Sequence, residues 1–276
     1  TTEYAYNVSG VSTDGSLVVN GSYKLTLQLN GINLTNAHGG AAIDIECGKR
    51  IAVELVKGTV NRLADSVNGK QKGALYFKGH PEFEGEGTLF VTGKTKHAIC
   101  AKEYIELKAS TGTINIMDAV SDGIHCGKGT MSNEHNYFLM KGGIVNIQNV
   151  GSDGVDSDDY GVIRIEGGSI SINLSEDGST GLKADSLILI NGGNVSAVLT
   201  GKDSEALRAC YAVNISGGKV NLVVPGDGAK GIKAKNAQNG TVQNGGYITI
   251  KGGDIDIMTT GGNYITIKED EKDVDK

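Results

Sequence analysis

The chain has 276 residues, with 42 glycines, only 2 prolines and no tryptophan. Its net charge of −6 argues against a general nucleic-acid binder, and it holds no run of about 18 apolar residues that would cross a membrane as a helix. Glycine lacks a three-residue period, which excludes collagen, and aliphatic residues alternate throughout, which argues against disorder.

In chain order, residues 1–35 read as an irregular first rung or cap. The first repeated strands are Gly73-Ala74-Leu75-Tyr76-Phe77 and Ala98-Ile99-Cys100-Ala101. Gly87-Thr88-Leu89 and Gly112-Thr113-Ile114 stand 25 residues apart. A Gly-Gly dipeptide then recurs with the same period at Gly142, Gly167, Gly192 and Gly217, and once more at Gly252 after a step of 35. A constant period of this size marks a repeat architecture, in which each unit buries its apolar face only by stacking on its neighbours.

Each period holds three short strands. One precedes Gly-Gly (Ile163 and Ile165, Ile188 and Ile190), one follows it (Ile170 and Ile172, Val195 and Ala197), and a third comes after a polar loop (Val155 and Ser157, Leu182 and Ala184, Leu207 and Ala209). Spacing two puts both members of a pair on one side of the strand, and that side must face inward. The pattern predicts an all-β chain: a three-sheet parallel β-helix of about nine rungs. Crossover rules favour the right-handed form. Residues 1–276 then form a single domain, with longer loops at 127–136 and 235–246. The charged tail, 268–276, reads as a solvated end or a polar cap.

Between the two inward residues of the third strand, one residue points outward. Up the stack this column reads Tyr76, Cys100, His125, Asp156, Lys183, Arg208, Lys233. Stacked strands lie about 4.8 Å apart, so the three cations form a row, and like charges directly opposite one another are destabilising. An anionic partner is the inference. Register is least secure where the steps are 31 residues (Ile124 to Val155) and 27 residues (Val155 to Leu182).

An acidic cluster lies beside this row. Asp153, Asp156, Asp158 and Asp159 fall within seven residues, Asp122 occupies the matching turn one rung earlier, and Glu176 and Asp177 lie in the next loop. Converging carboxylates are what calcium needs, six to eight oxygens in a flexible shell. Asp122, Asp153, Asp156, Asp158 and Asp177 are therefore the candidate ligands, with turn chemistry as the competing reading. The four cysteines show no metal-ligand spacing, and their columns argue against disulfides, so free thiols are expected. Tyr137, Tyr160, Tyr211 and Tyr247 gather near the start of the first strand, out of strict register, as edge packing or a sugar-stacking surface.

The repeated Ser-Asp-Gly-Ile/Val turns (Ser121 to Ile124, Ser152 to Val155) and the Gly-Leu-Lys-Ala and Gly-Ile-Lys-Ala steps (Gly181 to Ala184, Gly231 to Ala234) add a resemblance. With Gly-Gly followed by alternating Val/Ile, they make the chain similar, over roughly residues 70–265, to a bacterial family of carbohydrate-binding β-helix proteins long catalogued as a domain of unknown function. The resemblance implies an extracellular or cell-surface bacterial protein with Ca2+ sites, binding cellulose or an acidic polysaccharide such as pectin, and lyase-like in fold. The chain opens at Thr1 without Met, which reads as a start trimmed of any targeting segment. A monomer is expected.

Three functions compete. In a non-catalytic binding module, calcium bridges to uronate carboxylates while Lys183, Arg208 and Lys233, with His125, contact the chain. In a calcium-dependent lyase, Lys183 is the base for β-elimination. The third reading is an adhesin or structural spacer.

Overall fold

The computed structural model describes residues 3–127, 135–235, 237–238, 241–242 and 246–269. Parts of the expected loop excursions (128–134, 236, 239–240 and 243–245) and most of the charged tail lie outside these residues. Parallel strands stack as a solenoid with no helix among the described residues. The third face is a sheet of ten strands in chain order, from Leu17–Val19 to Ile265–Glu269, which makes nine steps and so about nine turns. The other two faces join into one 18-stranded sheet. They merge because strand Leu25–Thr35 bends through both, pairing with Arg50–Leu55 by its first half and Val60–Ala64 by its second. The opening residues take part in the stack as an irregular rung. Tyr4–Ser12 pairs in parallel with Leu25–Thr35, with one register shift between Val8 and Gly10.

Each Gly-Gly corner uses its two glycines differently. A Cβ on Gly167 would fall 2.6 Å from the Lys141 carbonyl of the rung below, so the first glycine permits close stacking. Gly168 has φ +79, a backbone that side chains disfavour, so the second turns the corner. The inward pairs follow and are fully buried, among them Ile163, Ile170, Ile172, Leu182 and Leu207. Burying each such aliphatic side chain contributes roughly 1.5–3 kcal/mol. The 31- and 27-residue steps keep register, since Ile124 pairs with Val155 and Val155 with Leu182. All four cysteines are buried and none forms a disulfide.

Candidate functional site

The outward column of the third face is continuous. Tyr76 pairs with Cys100, Cys100 with His125, His125 with Asp156, Asp156 with Lys183, Lys183 with Arg208 and Arg208 with Lys233. A second column, unseen in the sequence, runs three residues earlier. Asp153 pairs with Thr180, Thr180 with Glu205 and Glu205 with Lys230. Between the two columns lies a line of small residues, including Gly123, Gly154, Gly181 and Ala206. A Cβ on Gly154 would sit 2.6 Å from the Gly181 carbonyl. The backbone is pinched there, and the residues on either side of the pinch reach one another.

The expected row of cations is consequently not free. Lys183 Nζ lies 3.0 Å from Asp153 Oδ2 and 3.2 Å from Asp156 Oδ1. Lys233 Nζ donates to Glu205 Oε1 at 2.8 Å, and Arg208 Nε lies 3.4 Å from Glu205 Oε2. The repulsion inferred from the sequence is thus largely relieved inside the molecule. Burial first, then the Arg208 and Lys233 charges, depress the pKa of neighbouring Lys235, so some excess of positive charge persists.

His125, expected as an open polar contact, is outward but buried. Its ring stacks on that of His97, with centroids 4.3 Å apart. Its Nδ1 lies 3.2 Å from Asp122 Oδ2 and 3.3 Å from Asp156 Oδ2. Burial opposes its charge, but hydrogen bonds to Asp122 and Asp156 outweigh it and raise the pKa to about 9. Burial lowers His97 to about 4, although its Nδ1 lies 3.0 Å from Asp122 Oδ2. Burial also works against the Asp122 carboxylate, yet the two histidines hold its pKa well below the usual range. Burial raises Asp153 and takes Asp156 to about 6, with Lys183 offsetting part of each shift. Lys183 itself is held above its ordinary value, because Asp153 and Asp156 overcome its desolvation.

Of the five proposed calcium ligands, the fold brings Asp122, Asp153 and Asp156 together, with oxygens within 4.8 Å of one another. Asp158 joins a second grouping with His125 and Asp156. Asp177 belongs to neither; it is exposed in a loop, where Oδ1 accepts the Lys202 N–H at 2.8 Å. The donors suit a hard cation by type, and Asp156 Oδ1 is buried without a hydrogen bond. Lys183 occupies the position between two of them. Of the tyrosines, Tyr137 stacks face to face on Tyr104, with centroids 4.4 Å apart, and Tyr211 meets Tyr247 edge-on.

Towards the N-terminus the same face opens into a groove of about 460 Å³ lined by Lys70, Lys72, Lys96, Lys102, Tyr76 and His125, among others. Sequence reasoning missed these lysines, and it also missed His97 and Glu205. The three-residue offset of Glu205 from Arg208, repeated in Asp153 and Asp156, was the available signal for Glu205.

Comparison with known proteins agrees with this architecture. A family model described as "Carbohydrate-binding domain-containing protein" matches residues 1–211. No curated protein matches the chain. A solved structure, "Structure of the polysaccharide lyase-like protein from C. thermocellum, Gadolinium derivative", has a similar fold. The TM-score is 0.60 over 92% of this chain and 88% of that one, at 21% identity.

Proposed function

The chain belongs to the carbohydrate-binding domain-containing family, and on that premise we propose that it is a non-catalytic polysaccharide-binding protein that uses its third face to hold the chain. One observation carries this reading. The outward residues of that face form an unbroken column from Tyr76 to Lys233, one side chain per rung, beside an open groove. Tyr76, Cys100, His125 and Asp156 in it are buried and Lys183, Arg208 and Lys233 partly exposed, and positions repeated once per rung suit a polymer with a regular repeat.

The preferred ligand is an acidic, pectin-like chain, and the protein works outside the bacterial cell or at its surface. Calcium would be held by Asp122, Asp153, Asp156 and Asp158 and would supply a bridge to uronate carboxylates. Lys183 is then its internal competitor for Asp153 and Asp156. The same contacts weigh against the lyase reading. A base must release its proton, and two buried carboxylates hold that of Lys183 in place. The fold likeness to a protein described as polysaccharide lyase-like does not supply a base.

The test is incubation with polygalacturonate and calcium. Retention on the immobilised polymer, with no rise in absorbance from unsaturated product, is the expected result. Product formation that disappears in Lys183→Ala would establish the lyase instead, and absence of retention on every polysaccharide tried would leave a structural role.

A further inference from the structure

Two successive third-face strands, Gly73–Phe77 and His97–Ala101, are each bracketed by lysines: Lys72 and Lys78, then Lys96 and Lys102. Pairing of Gly73 with His97 and of Phe77 with Ala101 sets Lys72 beside Lys96 and Lys78 beside Lys102. Within each row the backbones are about 4.8 Å apart, and the rows are separated by about 20 Å of strand. Lys70 adds a further cation on the Lys72 side of the groove.

The backbone is hydrogen-bonded between coils at these positions. Lys70 N–H donates to the Gly39 carbonyl at 2.9 Å and Lys102 N–H to the Phe77 carbonyl at 3.0 Å. The carbonyls of Lys72 and Lys96 accept the His97 and Ser121 N–H groups at 3.0 and 2.8 Å. The floor between the rows is Tyr76 and Cys100, each 3% exposed.

Within ion-pair distance, Lys78 meets Glu46 at 3.7 Å, whereas Lys70, Lys72, Lys96 and Lys102 meet no carboxylate among the described residues. Lys70, Lys72 and Lys96 thus gather at one end of the groove and Lys102 at the other, and the one carboxylate among the described lining residues, Glu46, is paired with Lys78, in a protein whose net charge is −6. Ammonium groups at the two ends of a floor made by Tyr76 and Cys100 can meet separate anionic groups of one acidic glycan.

We propose that this groove is a metal-independent subsite for anionic polysaccharide, gripped directly by Lys70, Lys72, Lys96 and Lys102. It rests on the polysaccharide-binding reading and adds a second place on the third face and a manner of recognition that needs no metal. Calcium is not needed here, because the protein itself supplies the positive charge.

The experiment measures binding of polygalacturonate, dextran sulfate and neutral hydroxyethylcellulose in EDTA across a salt series. A variant carrying Lys→Gln at Lys70, Lys72, Lys96 and Lys102 is compared with one changed likewise at Lys24, Lys57, Lys219 and Lys251. These four are exposed and do not line the groove. The wild type should bind both polyanions in EDTA, more weakly as salt rises. The groove variant should lose at least tenfold in affinity with its stability intact, since relieving repulsion does not unfold it, and the control variant should lose less than threefold. Equal losses in the two variants, or binding by the wild type only when calcium is added, would overturn the subsite. So would tighter binding of a single-stranded DNA of matched charge. Binding of the neutral polymer with no affinity for either polyanion sinks this inference while leaving the polysaccharide reading intact; binding of no polymer at all removes both.

Discussion

Around Tyr76 the groove holds Lys70, Lys72, Lys96 and Lys102 with no carboxylate within ion-pair distance of them among the described residues, whereas from Lys183 to Lys233 every cation of the outward column meets one. Backbone, register and rung spacing are the same in both stretches. The difference lies in where the cations stand. Lys183, Arg208 and Lys233 lie within their strands, in reach of Asp153 and Glu205 from the column three residues earlier, whereas Lys72, Lys96 and Lys102 flank theirs, the first two beside Gly73 and His97. A cation on this scaffold is therefore paired internally or left open according to its place relative to the strand and the acids of that second column.

Breaking the C-terminal arrangement should have the largest effect. Lys183→Met leaves Asp153 and Asp156 buried beside each other, and losing one partner of a buried pair typically costs about 3–5 kcal/mol. Because the Lys183 side chain is 24% exposed, a loss near the lower end is expected from urea denaturation in EDTA. Adding Asp153→Asn should recover part of it. Full stability in the single variant would mean that the pairs do not matter. The same variant should bind calcium more tightly by calorimetry, because the competing ammonium is gone.

Next in size is a dependence on pH. The folded His125 holds its proton up to about pH 9, above its ordinary 6.5. Its contribution is fully present below pH 6.5 and is lost as the pH rises through 9, on the order of 3 kcal/mol. Asp156, raised to about 6, lowers stability in the same direction between pH 3.8 and 6. Denaturation in EDTA should thus show stability falling from pH 6.5 to 9, and His125→Asn should flatten that fall. An unchanged slope in the variant would place the titration elsewhere.

The smallest change sharpens the comparison most directly. Glu205→Gln frees Lys233 and Arg208 and makes the C-terminal stretch resemble the groove. The expected cost is about 1–2 kcal/mol from weakened hydrogen bonding. Affinity for polygalacturonate at low salt should rise severalfold, and an unchanged affinity would show that these two cations never reach the polymer.

The 25-residue period made most of the fold legible. It placed Asp156, Lys183, Arg208 and Lys233 in one column, and that column survived the 27- and 31-residue steps. What it hid has a physical cause. Period-two alternation sends Asp153 and Glu205 to the opposite side from Asp156 and Arg208, because three is an odd step, yet their ion pairs with Lys183, Arg208 and Lys233 put them within reach of that face. Lys72, Lys96 and Lys102 escaped notice because they flank strands instead of lying within them. They also precede the Gly-Gly beat, where the repeat is faintest. His125 was misjudged as exposed because its cover, the stacked ring of His97, comes from the hidden column.

The constancy of register across unequal steps has a consequence for how such a face changes. Hydrogen bonds from coil to coil fix the graduations of this ruler, and the length of chain between them does not. Steps of 25, 27 and 31 residues all leave the paired strands in the same register. The length of a coil can thus change one coil at a time, with the measuring edge left untouched.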